Sequence, residues 1–143
     1  MAITVTRTVT GPNDDPATMQ HTVQVREHRI TADVSAAEGG VDAGPDPHDL
    51  YDAALGACKA LTVLWFAKRK AIPLEGVQVT IERDKSEERN GVYRISAALA
   101  LSGSITDAQR ESLLAVAQKC PVHKLMSDVK TEITTTLVPK AGA

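Results

Sequence analysis

The stretch from Asp46 to Pro73 constrains this chain more than any other. Asp46 suits a helix N-cap, Pro47 suits the first helical position, and Asp49 puts negative charge near the positive end of the helix dipole. From Leu50 to Ala67 the residues are good helix formers, and the apolar ones cover nearly the whole circumference. Lys68, Arg69 and Lys70 complement the C-terminal dipole, and Pro73 ends the element. A helix apolar on every side must be buried. Gly56 and its neighbouring alanines would let a second helix approach closely. A chain of 143 residues offers few elements to cover such a helix, so the pattern predicts a homodimer whose partner supplies the missing cover.

The flanking segments read as strands. Ile3, Val5 and Val9 alternate with Thr and Arg, a period of two rich in β-branched residues. Gly11 to Pro16 is a turn cluster, and Thr22 to Val25 and Arg29 to Val34 continue an antiparallel meander. Ser35 to Pro45, with three glycines, reads as a flexible loop. After the helix, Val77, Val79 and Ile81 alternate with polar residues, Ser86 to Gly91 makes a charged turn, and Val92 to Leu101 pairs back as a hairpin. Thr106 with Gln109 is a capping-box pattern opening a second helix that carries Leu113, Leu114, Val116 and Ala117 inward. Pro121 breaks that helix just after Cys120. A short helical segment through Met126 follows, then a last strand from Glu132 to Val138 and a loose tail from Pro139 to Ala143. The predicted order βββ-α-ββ-α-β is α+β, in a single domain over residues 1–143.

Composition removes several functions. Aromatic residues are only 3% of the chain and the formal net charge is -2, so neither a base-stacking platform nor a polyanion-binding surface is expected. The chain therefore reads as having no nucleic-acid partner. Met1 leads into alternating Thr and Val rather than a basic segment and an apolar run. The apolar stretch from Ala53 to Ala67 is interrupted by Lys59 and looks too short to span a bilayer. These features predict a cytoplasmic protein with no membrane partner.

The chemistry-bearing residues are the 2 cysteines. In a reducing compartment they do not make a permanent staple, and the ordinary role of a free Cys is that of a small buried hydrophobe. Cys58, within Ala-Leu-Gly-Ala-Cys in the middle of the long helix, fits that ordinary role by its local setting, with Thr62 as a weak donor one turn on. Cys120 differs. Pro121 starts a new helix and leaves Cys120 as its N-cap, where a thiolate could accept backbone N–H bonds, with His123 and Lys124 within a turn. Local physics thus makes Cys120 the more activated thiol.

Three blocks, Pro47-His48-Asp49-Leu50, Ala53-Ala54-Leu55-Gly56-Ala57-Cys58 and Cys120-Pro121-Val122-His123-Lys124, resemble the signature blocks of the OsmC/Ohr superfamily. The resemblance extends to the order and length of elements along the whole chain. It implies an intertwined α+β homodimer with two central helices, outer antiparallel sheets and active sites at the subunit interface. It also implies two-cysteine reduction of organic hydroperoxides, with Cys58 peroxidatic and Cys120 resolving. No cofactor and no metal are implied, only an external dithiol, lipoyl-type in the family, that restores both thiols. The hydroperoxide reductases activate the first Cys with an Arg–Glu pair. Here His48 stands where the Glu belongs, and Arg26 and Arg29 are the nearest candidates for the Arg.

Two other functions compete with the peroxidase. One is an OsmC-like protein that binds a small hydrophobic molecule or senses redox state without appreciable peroxidase activity. The other is metal binding through Cys120, His123, His48 and Cys58, for which Cys-x-x-His would supply half of a zinc site while the other half lacks a close pair. Other features read as ordinary: His21 and His28 face solvent, Trp65 and Phe66 make core or dimer contacts, and Glu82-Arg83-Asp84-Lys85 is a solvated hairpin end.

Overall fold

The structure is a computed structural model, and it describes residues 1–8 and 18–139. The turn expected over 11–16 and the tail over 140–143 lie outside the described residues. The elements are β1 (Ile3–Arg7), β2 (His21–Val25), β3 (His28–Ala32), α1 (Pro47–Arg69), β4 (Leu74–Asp84), β5 (Arg94–Gly103), α2 (Asp107–Ala117) and α3 (Pro121–Ser127). The mixed α+β class expected from the sequence is the one found. By packing, the residues separate into two compact units, one comprising Met1–Ala54 and Ile81–Ser96, the other Leu55–Thr80 and Ala97 onward.

In the first unit β1, β2 and β3 form an antiparallel meander in chain order, with Val5 opposite Val23 and Val23 opposite Ile30. The β-branched alternation read from the sequence is this register. The loop after β3 is more ordered than its glycines suggest. Asp33 is buried, and its carboxylate accepts the backbone N–H groups of Val34, Val41 and Ala43. The Ala43 N–H is the leading cause that holds the Asp33 carboxyl below its ordinary range. Gly40 is required here, because a Cβ would sit 2.2 Å from the Val34 carbonyl oxygen. A single carboxylate thus folds the loop back on itself.

Helix α1 starts as its sequence dictates. The Asp49 N–H donates to Asp46 Oδ1 at 2.8 Å and the Asp46 N–H donates to Asp49 Oδ2 at 3.0 Å, a reciprocal cap. The helix is long and apolar enough, by length and composition, to cross a bilayer, which corrects the shorter estimate from Ala53 to Ala67. Its packing is that of a core helix on one face only. Asp52, Leu55, Lys59, Val63 and Ala67 are buried at spacings of three and four residues, whereas Leu61 is 67% and Trp65 59% exposed. The all-round burial expected from the sequence is therefore not supplied by this chain alone. Two of these buried residues, Asp52 and Lys59, are charged.

In the second unit Val63, Ala67, Leu113 and Ala117 form a fully buried cluster, flanked by Phe66, Leu74, Val77, Leu99, Leu101 and Val116. Helix α2 opens with the predicted capping box: the Gln109 N–H donates to Thr106 Oγ1 at 3.1 Å and the Thr106 N–H donates to Gln109 Oε1 at 2.9 Å. Strands β4 and β5 pair as the expected hairpin, and Gly91, at φ 88°, takes the left-handed conformation that closes the turn. The last strand expected over 132–138 is absent: the segment is irregular, with Ile133, Leu137 and Val138 exposed. Its alternating pattern is intact, but a strand exists only when another strand accepts its hydrogen bonds, and none of the described strands does.

Candidate functional site

In the second unit α1 and α3 bring the two thiols together. Cys58 is half-buried, and Cys120 has no exposed surface. The Cys58 side chain is near enough to raise the Cys120 thiol. Cys120 is the N-cap of α3, followed by Pro121 at the first helical position, but its side chain makes no capping hydrogen bond. The Val122 N–H donates instead to Cys58 Sγ at 3.4 Å, and Thr62 Oγ1 lies 4.0 Å from the same sulfur. Burial is the leading influence on Cys120 and pushes its thiol up, opposed by the His123 N–H and the positive charge of Lys59. The local expectation that Cys120 is the activated thiol is corrected on this point. A backbone donor reaches Cys58 as well, and at Cys120 desolvation outweighs the cap position.

Sequence reasoning missed Lys59. It is only 5% exposed, and its ammonium donates to the Ala117 carbonyl at 2.8 Å and to His123 Nδ1 at 3.0 Å. An ammonium has only hydrogens to offer, so His123 Nδ1 accepts and the ring proton of the neutral imidazole sits on Nε2. The signal was present as the lone cation within an apolar helical run. A buried lysine must find hydrogen-bond acceptors, and only the packing of α2 and α3 reveals which. Among the described residues, no grouping of three or more His, Cys, Asp or Glu could hold a metal ion. Beside the thiols runs an open groove of about 660 Å³, lined by Leu61, Thr62, Leu64, Trp65, Val116 and Pro121, with Lys68 and Lys119.

The supporting residues named from the sequence fall in the first unit. Arg29 Nε donates to Gln24 Oε1 at 2.9 Å, and Arg26, at φ 53° in the β2–β3 turn, points Nη1 at Met1 Sδ. Both side chains therefore find their partners within the meander. His48 Nε2 meets Glu88 Oε1 at 2.7 Å, with the Tyr93 ring edge-on at 5.7 Å. Arg83 was read as a solvated hairpin residue. It instead donates to Asp49, and its Nε lies 2.5 Å from Asp52 Oδ2. The arginine that joins the Pro47-His48-Asp49 block is thus Arg83, delivered by β4 at a separation no local pattern could show. Its hydrogen bond is the leading cause that holds the Asp49 carboxyl below the ordinary carboxylate range. The Tyr93 hydroxyl donates to both Asp52 oxygens, at 2.8 and 3.0 Å, and burial followed by that carboxylate pushes its pKa up to about 12.

The α+β chain thus places a half-buried helical thiol near a buried thiol that precedes Pro-Val-His. The profile of the OsmC-like protein family matches residues 39–136, and the chain belongs to that family. Solved structures with the same fold include an OsmC-like protein from Mycoplasma pneumoniae, with TM-score 0.67, 18% identity and coverage of 90% of this chain and 87% of that one. An OsmC-like protein of unknown function from Vibrio cholerae has TM-score 0.68 and 20% identity over 96% of this chain and 97% of that one. An organic hydroperoxide resistance protein from Legionella pneumophila has TM-score 0.60 and 18% identity, with 90% of each chain covered. At these identities the likeness establishes the fold. No curated protein sequence matches the chain.

Proposed function

We propose that this protein reduces organic hydroperoxides with Cys58 and Cys120. The observation that carries the reading is the placement of an accessible sulfur, Cys58, against a buried one, with the Val122 N–H aimed at the accessible sulfur. An N–H so directed is placed to hold an anion. The Cys58 thiolate attacks the distal oxygen of the peroxide, the O–O bond breaks, and the departing alkoxide takes a proton to leave as an alcohol. Cys58 becomes a sulfenic acid. Cys120 condenses with it, water leaves, and an external dithiol, lipoyl-type in the family, supplies two electrons and two protons to restore the thiols. No bound cofactor is invoked. The groove beside Thr62 and Pro121 is suited to the apolar body of the hydroperoxide. A second copy of the chain, laid on the exposed Leu61–Trp65 face of α1, would form the other wall, and the cytoplasm would supply the dithiol.

One equivalent of cumene hydroperoxide added to reduced protein tests this. Intact mass should show each thiol losing one hydrogen, and Cys58→Ser alone should fail to consume peroxide. Thiols that survive the peroxide unchanged would overturn the reading. The same groove would then favour a small-molecule-binding or redox-sensing role.

A further inference from the structure

Lys59 has no part in the chemistry above, yet among the described residues it is the buried cation of the second unit. Its hydrogen-bond partners are both neutral, a carbonyl oxygen and an imidazole nitrogen. Among the described residues no ion pair includes it. Burial without a counter-ion is costly for an ammonium, and an unneeded lysine at a packed helical position would be replaceable by an apolar residue. The titratable groups that meet here are Cys58 and Lys59 from α1 and Cys120 and His123 around the start of α3, while α2 contributes the uncharged Ala117 carbonyl. Lys68 and Lys119 line the open groove alongside. Among the described residues, the groups beside Lys59 able to become an anion are therefore the two sulfurs.

We propose that Lys59 is the charge-setting positioning residue of the thiol pair, clamped by Ala117 and His123 so that the thiolate formed in the reduced protein is its counter-ion. Two consequences follow from charge balance. The cation favours the thiolate over the thiol. It also favours the reduced pair over the disulfide, because forming the disulfide removes the anion and leaves Lys59 buried with neutral partners only. His123 has a defined share in this: its Nδ1 lone pair fixes where the ammonium sits, and a proton on that nitrogen would displace it. The inference rests on the two-thiol reading for its purpose, but not for its physics.

The test follows thiolate absorbance at 240 nm against pH in wild-type protein, Lys59→Met and Lys59→Arg, with Cys58→Ser and Cys120→Ser assigning the sulfurs. Lys59→Met keeps most of the stem and removes the charge. It should move the thiolate transition up by about one pH unit, a roughly tenfold lower thiolate fraction below the transition. Lys59→Arg should hold the transition near the wild-type position. Above the transition, equilibration with dithiothreitol, which supplies the two electrons, should leave about tenfold more disulfide in Lys59→Met than in wild type. A folded Lys59→Met that matches wild type in both measurements overturns the proposal. Should that variant fail to fold, nitrogen-15 NMR of histidine-labelled wild type decides. A proton on His123 Nδ1 at neutral pH would sink the proposal, and a bare Nδ1 with its proton on Nε2 supports it. Neither readout uses peroxide, so a protein inert to hydroperoxide but with a Lys59-dependent thiolate would separate this inference from the peroxidase reading.

Discussion

Joining Cys58 to Cys120 in the native protein should stabilise it, by an amount that can be worked out. The bridge would close a loop of about 62 residues, and the chain-entropy relation for such a loop removes about 14 cal/mol/K from the unfolded ensemble, or about 4 kcal/mol at 25 °C. That figure assumes a native fold that accepts the bridge without distortion. The position of Cys58 Sγ supports the assumption, because it already lies against the Val122 N–H, two residues past Cys120. A deduction comes from Lys59, which loses its anion on oxidation, so a net gain of about 3 kcal/mol is expected. The assay is urea unfolding of reduced and stoichiometrically oxidised protein, each checked by intact mass, with Cys120→Ser as the control that cannot bridge. With a slope of about 2 kcal/mol/M, the midpoint should rise by about 1.5 M. If protein that has demonstrably formed the bridge unfolds at the same or lower urea than the reduced form, the native state does not present the two sulfurs for bonding, and the reasoning fails.

Two further outcomes test other parts of the structure. Leu113 is fully buried among Val63, Ala67 and Ala117, so Leu113→Ala should cost about 3 kcal/mol and lower the melting temperature by roughly 10 °C, read by circular dichroism. A loss below about 1 kcal/mol would contradict the packing described. The phenol of Tyr93, raised from 10.0 to about 12, binds its proton more tightly in the folded state than in the unfolded state. Its contribution is complete below the unfolded value and is lost as pH rises through the folded one, so stability should decline between about pH 10 and 12. Tyr93→Phe should remove that part of the decline, and an unchanged alkaline profile would refute the assignment.

The legible parts of this protein were those governed by neighbours in the chain. The Asp46–Asp49 and Thr106–Gln109 caps, the period-two strands of the meander and the break at Pro121 depend on residues a few positions apart, and each formed as its pattern requires. The α+β class followed from their order. The segment over 132–138 carries an equally good pattern and forms no strand, because pairing is a property of two segments and the sequence displays only one.

The site divided along the same line. That Cys58 and Cys120 are the reactive groups to consider was readable from residue type and from the family resemblance. That Cys58 receives a backbone donor was not, since the Val122 N–H reaches it across 64 positions of chain. Electrostatic partners are chosen by distance in space, and β4 places Arg83, read from the sequence as a solvated hairpin residue, beside Asp49 and Asp52. Lys59 stood in plain sight as an interruption of an apolar run, where a cation costs free energy unless something receives its hydrogens. The sequence by itself determined that a charge would lie on the helix next to a cysteine. Only the tertiary structure decided that it is buried, because the packing of α1 against α2 and α3 excludes water and leaves the Ala117 carbonyl and His123 as its acceptors.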